Sequence, residues 1–374
     1  MMKKNLHKEF VSIYKHIYQD KYKYKTNQYL YYKNIIKNNF LESKITKKDI
    51  SNLITFNSGT GLECVTMQSF GTKYNIFCDI SKYPINHLRE FIFKKKITNI
   101  KVYKKDLCLK KFALNKRVNF IYLNGVLHHL YDDNIAIKNL DKILTNNGKV
   151  FFRNYRSGNL RNFTCEIIRK ILNFKDKKNF RSTFLKIFKT NSLNKDLRYK
   201  NFIPCFYESS YDMFFAPIIN YYDSKNFISY FKNKNYCLIN RPSLKKYDHA
   251  NLNNDATAIN FIFLKKEKLQ KKKFKPTKLK TVDQLKINYK EKIIKKTLLT
   301  FKRLDLNKIK NLNSKIRLYY CLKLFYIAEV YRMSKTLKNV PNFENLNKEN
   351  LNKMNIIHKN LNATLLNLKN EYAK

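Results

Sequence analysis

Tryptophan is absent from this chain of 374 residues, and glycine and proline number six each. Acidic side chains are scarce too: 27 Asp and Glu stand against 77 Lys and Arg, a formal net charge of +50. No apolar run approaches the roughly 18 residues that a membrane-spanning helix needs. The best stretch, 318–330, is short and carries Lys323 and Glu329. The first ten residues lack the apolar centre of a signal peptide, so a cytoplasmic protein without a membrane span is expected. The cysteines (Cys64, Cys78, Cys108, Cys165, Cys205, Cys237 and Cys321) include no Cys-x-x-Cys pair. That excludes zinc spacing, and an odd count excludes a complete disulfide framework, so they read as small buried thiols.

What is abundant has two explanations. A large positive charge invites a nucleic-acid reading. Lys, Asn, Ile, Tyr and Phe dominate, however, which is also the profile of a chain drifted by a strongly A/T-rich genome. Drift accounts for most of the lysines, while non-specific affinity for RNA or another polyanion is still expected from the charge alone. Hydrophobic residues make up 44%, enough for a sizeable core, and the length suggests about two domains.

Read in order, Phe10, Ile13, Tyr14, Ile17 and Tyr18 recur on one helical face, so residues 1–50 are expected to be an N-terminal helical cap. From 51 to 156 apolar strand-like runs alternate with amphipathic segments. Strands are expected at 53–56, 74–78, 100–103, 118–123 and 149–154. Helices are expected at 62–70, 84–93 and 132–144, with a turn at Asn146-Asn147-Gly148. Such alternation implies a parallel sheet with helices on both faces, whose ligand crevice lies at the C-terminal strand ends. The first strand stops at Asn57-Ser58-Gly59-Thr60-Gly61, a turn into a helix that offers free backbone N–H groups to an anionic or polar ligand. The second ends in Asp79-Ile80, the third in Asp106-Leu107, the fourth in Asn124-Gly125 followed by His128-His129. A carboxylate about 20 residues past the turn suits ribose hydroxyls, because it accepts two hydrogen bonds.

These motifs resemble the class I S-adenosylmethionine-dependent methyltransferases over residues 52–156. The most specific part is the segment Gly125-Val126-Leu127-His128-His129-Leu130 with the helix and glycine turn after it. The resemblance implies a Rossmann-like doubly wound sheet, mostly parallel with its last strand antiparallel. It implies S-adenosyl-L-methionine as cofactor, with Ser58, Gly59, Thr60 and Gly61 cradling the methionine part. Asp79 and Ile80 would lie at the ribose, Asp106 and Leu107 at the adenine, and Asn124 and Gly125 near the reacting end. Thr55 stands where the family usually has an acidic residue, and Asn57 where it usually has glycine.

Three residues are candidates for the chemistry itself. His128 or His129 is either a proton acceptor facing the pocket or a packing histidine; no nearby carboxylate or cysteine suits a metal. Tyr211, in the aromatic stretch 203–217, is read as a site residue, and Phe214 and Phe215 as packing. Strands at 236–240 and 258–264 are expected to form the antiparallel hairpin that completes the fold. After them, 265–276 reads as a linker and 267–374 as a basic helical C-terminal module, with 51–266 as the methyltransferase domain. Leu318, Cys321, Leu322, Phe325, Ala328 and Glu329 lie on one helical stripe of that module. The expected reaction is methyl transfer to an O, N or C nucleophile of a small-molecule or protein acceptor. The alternatives are an RNA methyltransferase gripping RNA through the C-terminal module, and a non-catalytic binding or assembly module.

Overall fold

The computed structural model describes residues 33, 36–37, 40, 44–56, 61–114, 116–190, 210–240, 258–266, 278–288 and 309–336. The residues form two compact units. One takes its described residues from 33–156, 216–240 and 258–282, the other from 157–190, 210–215 and 283–336. In chain order the elements are β1 (Asn52–Phe56), α1 (Leu62–Gln68), β2 (Tyr74–Asp79), α2 (Lys82–Lys94), β3 (Ile100–Lys104) and β4 (Val118–Asn124). There follow a 3-10 turn (Leu127–His129), α3 (Asp133–Ile143), β5 (Leu144–Tyr155), α4 (Leu160–Ile171) and α5 (Lys177–Thr190). The last are α6 (Ser224–Lys232), β6 (Tyr236–Asn240), β7 (Ala258–Lys265) and α7 (Ser314–Thr336).

The strands of the first unit form one sheet in the order β3-β2-β1-β4-β5-β7-β6. β1 pairs in parallel with β2 and β4, β2 with β3, and β4 with β5. β7 runs antiparallel to both β5 and β6, so the expected hairpin is the sheet's antiparallel end. Apolar runs such as Leu53–Phe56 form strands here because both faces of the sheet are covered and every side chain finds a core. One face sends Ile54, Phe56, Ile121, Leu123 and Phe152 against Ala136, Ile137 and Leu140 of α3 and Phe227 and Phe231 of α6. The other face buries Leu53, Phe120, Tyr122 and Phe151 with Met67 of α1, Ile36 and Phe40, and, toward β3, Phe77 with Ile85 and Leu88 of α2. Each such aliphatic or phenyl group contributes on the order of 1.5–3 kcal/mol by leaving water.

Helix starts are fixed by side-chain caps, each worth about 1 kcal/mol. Asp132 accepts from the Ile135 N–H at 2.9 Å, which places it before α3 as the cap, where the sequence suggested a helical residue. Ser81 caps α2 from Tyr83 N, and Asp223 caps α6 from Asn226 N at 2.9 Å. The turn expected at 146–148 is absorbed into β5, whose register against β4 shifts between Val118 and Phe120.

In the second unit α7 packs on α4 and α5. Leu318, Cys321, Leu322, Phe325, Ala328 and Glu329 are buried, as the stripe implied, but so are Tyr319, Tyr320, Leu324 and Tyr326, so burial between 318 and 329 extends beyond one stripe. Two ion pairs lie inside it. Arg161 Nε donates to Glu329, both almost fully buried. Arg317 binds Asp176 through Nε and Nη2 at 2.9 and 2.7 Å, and the Ser314 hydroxyl donates to the same carboxylate at 2.6 Å. The helical face Phe10–Tyr18, the linker at 267–276 and the cysteine at 205 lie outside the described residues, save for the start of the linker at Lys265 and Lys266. Among the described residues every cysteine is a free thiol, and no helix is long and apolar enough to cross a membrane.

Candidate functional site

The parallel strands β2, β1 and β4 bring their C-terminal ends side by side. Ser58, Gly59 and Thr60 lie outside the described residues. Gly61 takes the left-handed region, φ 76°, at the cap of α1; a Cβ there would stand 3.0 Å from Leu88 Cδ2. A side chain at this position is strained by its backbone and crowded by its neighbour. Thr55 is wholly buried: its hydroxyl donates to Asn75 Oδ1 at 3.4 Å, and Asn75 Nδ2 donates to the Cys64 carbonyl at 2.9 Å. Where the family usually has an acid, this chain has a polar link between β1, β2 and α1.

Asp79 ends β2, with 2% of its surface exposed. Its Oδ1 accepts from the Ser81 N–H at 2.7 Å, while Oδ2, equally buried, has no hydrogen-bond partner among the described residues. Burial raises this carboxyl from 3.8 to about 8, outweighing the stabilising backbone N–H groups of Ser81 and Ile80. Ile80 faces a cavity of about 340 Å³ lined also by Lys104, Lys105, Asp106, Leu109 and Phe112. Asp106 is held at both oxygens: Oδ2 accepts from the Tyr131 hydroxyl at 2.7 Å and Oδ1 from the Cys108 N–H at 2.8 Å. Leu107 is buried in the core, its carbonyl accepting from Asn139 Nδ2 at 2.8 Å.

At the end of β4 the Asn124 amide donates to the Glu63 carboxylate in the first turn of α1. Gly125 takes φ 74°, and its N–H donates to the Arg153 carbonyl at 2.9 Å. Neither Glu63 nor Arg153 stood out in the sequence, yet both belong to this strand end. Tyr122 stacks on Phe151 at 4.7 Å, so by strand alternation Asn124 and its register partner Arg153 share that same face. Glu63, bonded to Asn124, lies there too. A carboxylate and a guanidinium thus flank one amide at the β4–β5 end.

The two histidines follow on the 3-10 turn, both buried. The His128 ring lies 3.9 Å from that of Tyr155 and 4.2 Å from that of His129. His129 Nδ1 is 2.9 Å from the Ile218 carbonyl, a contact that fixes its orientation. His128 Nδ1 has no partner among the described residues. Its pKa is driven well below the ordinary histidine value, first by burial and then by its positive or titrating neighbours His129 and Arg153; the Asn154 amide opposes this without reaching hydrogen-bond geometry. His128 is therefore a neutral imidazole at physiological pH. Tyr211 belongs to the second unit, 2% exposed, with Phe180 and Phe215 rings at 5.4 and 5.0 Å. Its surroundings are a packed aromatic core.

Residues 55–152 match the family model described as a methyltransferase domain. No curated protein matches the chain. Among solved structures, the chain is similar to PKMT2 from Rickettsia typhi (14% identity, TM-score 0.42, covering 60% of this chain and 52% of that one). It is also similar to the N-methyltransferase NodS from Bradyrhizobium japonicum, solved with S-adenosyl-L-homocysteine (11%, TM-score 0.39, 69% and 99%). YcgJ from Bacillus subtilis is a third (11%, TM-score 0.40, 62% and 99%). The chain thus spans about half the length of the Rickettsia protein. The matched segment runs from β1 into β5 of a sheet closed by an antiparallel β7, so residues 55–152 of this chain carry a methyltransferase domain.

Proposed function

We propose that this chain transfers a methyl group from S-adenosylmethionine to an O, N or C nucleophile of a small-molecule or protein acceptor. The observation that carries the reading is the buried Oδ2 of Asp79, an acceptor without a partner among the described residues, at the strand end where a ribose diol donates. The residues fit that group. Asp79 accepts from the ribose. Ile80, Leu109 and Phe112 supply apolar walls for the adenine in the neighbouring cavity. Asp106, already engaged by Tyr131 and Cys108, holds the loop in place as well as facing that cavity. Gly61, left-handed and without a side chain, sits at the start of α1, where the methionine part would be received. Glu63 and Arg153, with Asn124 between them, match an ammonium and a carboxylate, so Glu63 provides the charge that Thr55 does not.

The cofactor, when bound, supplies an electrophilic methyl on an activated sulfonium. The protein's task is then to align the acceptor and exclude water. His128, neutral and beside Gly125, takes the acceptor's proton where the nucleophile carries one. His129 orients the turn through Ile218. Two measurements test the reading. Calorimetry with S-adenosylmethionine must show binding to the folded protein. Transfer of labelled methyl in cell extract must then appear in the small-molecule or protein fraction. Absence of binding by folded protein refutes the enzyme reading, and label confined to RNA refutes the acceptor class.

A further inference from the structure

We infer that the margin of the sheet at β2 and β3, which shares Lys105 with the wall of the cavity at Ile80, is a docking surface for single-stranded RNA. β3 is the outer strand, and register pairs Ile76 with Lys101 and Cys78 with Tyr103, placing these four on one face. On that face α3 covers β1 and β4, whereas the margin at β2 and β3 is met by Lys105, Leu114 and Lys116. A concavity of about 160 Å³ results, bounded by Tyr74, Tyr103, Leu114, Lys101, Lys105 and Lys116. The Lys101 and Lys116 ammonium groups stand 5.9 and 5.3 Å from the Tyr74 ring centre, and Lys105 stands 5.9 Å from that of Tyr103.

Positive charge at this margin outweighs negative, and the Lys105 ammonium donates to the Ala113 carbonyl. Between 100 and 117 there are seven Lys and Arg and one carboxylate, Asp106, already bound by Tyr131 and Cys108. Elsewhere Lys94, Lys149 and Lys265 sit against Glu90, Asp49 and Asp141. No cation of 100–117 makes such a pair among the described residues. Compositional drift explains many lysines, but it does not explain why this segment lacks their partners. Cations interleaved with ring faces suit a strand whose phosphates take the lysines and whose bases stack on the tyrosines. An acidic peptide would use the lysines and leave the ring-lined concavity empty, which favours RNA.

The test is fluorescence anisotropy of a short fluorescein-labelled oligouridylate with the full chain across a salt series. Lys101→Gln with Lys116→Gln is expected to weaken binding about tenfold at low salt and to flatten the log–log salt slope by about 1.4. Tyr103→Leu, which keeps the apolar volume, is expected to weaken it by about fivefold or more. The control pair Lys225→Gln with Lys232→Gln on α6 removes the same charge from another surface and is expected to cost less than about twofold. Circular dichroism confirms that each variant is folded. Equal loss in the control pair overturns the site in favour of bulk charge. So does unchanged binding by Tyr103→Leu together with equal competition by polyglutamate.

Discussion

Asp79 offers the sharpest test of the site, because its burial couples ligand binding to protons. In the free protein burial pushes its carboxyl up to about 8. At pH 7 it is therefore protonated in about nine molecules of ten. A ribose diol donating to the carboxylate favours the ionised form, so binding must expel that proton. The ligand of choice is 5′-methylthioadenosine, which keeps the ribose and has no amino group of its own to titrate. Calorimetry at pH 7 in buffers of different ionisation enthalpy is expected to report release of about 0.9 proton, with affinity rising nearly tenfold per unit from pH 6 to 7 and levelling off above 8. Asp79→Asn abolishes both the proton release and the pH dependence, and it weakens binding at pH 8. The same shift acts on stability. A native carboxyl that holds its proton above the unfolded value binds more protons than the unfolded chain between pH 3.8 and about 8. Stability present at low pH is lost as pH rises through that window, on the order of 5 kcal/mol as an upper bound. Asp79→Asn is thus expected to melt higher than the parent at pH 8.5 in the absence of ligand. Affinity that is flat with pH and binding without buffer dependence would refute the assignment of Asp79 to the ribose.

Other outcomes follow from the same geometry. Glu63→Gln and Arg153→Met are expected to weaken S-adenosylmethionine by about tenfold each while leaving 5′-methylthioadenosine unchanged, since only the former presents a charged amino-acid end; titration calorimetry with both ligands checks this. His128→Gln should lower turnover by about 10²–10⁴ with cofactor affinity intact where the acceptor carries a proton. Since burial holds the parent imidazole neutral, that turnover should not decline between pH 8 and pH 6 through His128 itself. In the second unit, Arg161→Met removes the guanidinium that compensates the buried Glu329 carboxylate and should cost about 3–5 kcal/mol in urea unfolding, most of it recovered by adding Glu329→Leu.

The strand ends could be read from the chain because each is an apolar run stopped by a polar or glycine residue, and a parallel sheet aligns such ends. Asp79, Asn124 and Gly125 stand at their strand ends for that reason, and Asp106 follows β3. What escaped reading depends on partners far along the chain. Glu63 looks like any acidic residue in a helix's first turn until Asn124, 61 residues on, binds it. Arg153 is one basic residue among 77. Asp106 could not be seen to be engaged without Tyr131, nor Tyr211 to be packed without Phe180. The β5 register shift that absorbed the expected glycine turn is likewise a property of pairing with β4, invisible in local turn chemistry.

The buried ion pairs of the second unit bear on how the chain emerges from the ribosome. Arg161 and Asp176 lie on or beside the early helices α4 and α5, but their partners, Glu329 and Arg317, arrive 168 and 141 residues later. At ordinary elongation rates that interval is on the order of 7–30 s. During it neither ion has the oppositely charged partner that compensates it in the folded chain, so burying α4 and α5 early costs the desolvation of both charges. Packing of α4 and α5 is thus expected to be favoured only once α7 is available to them.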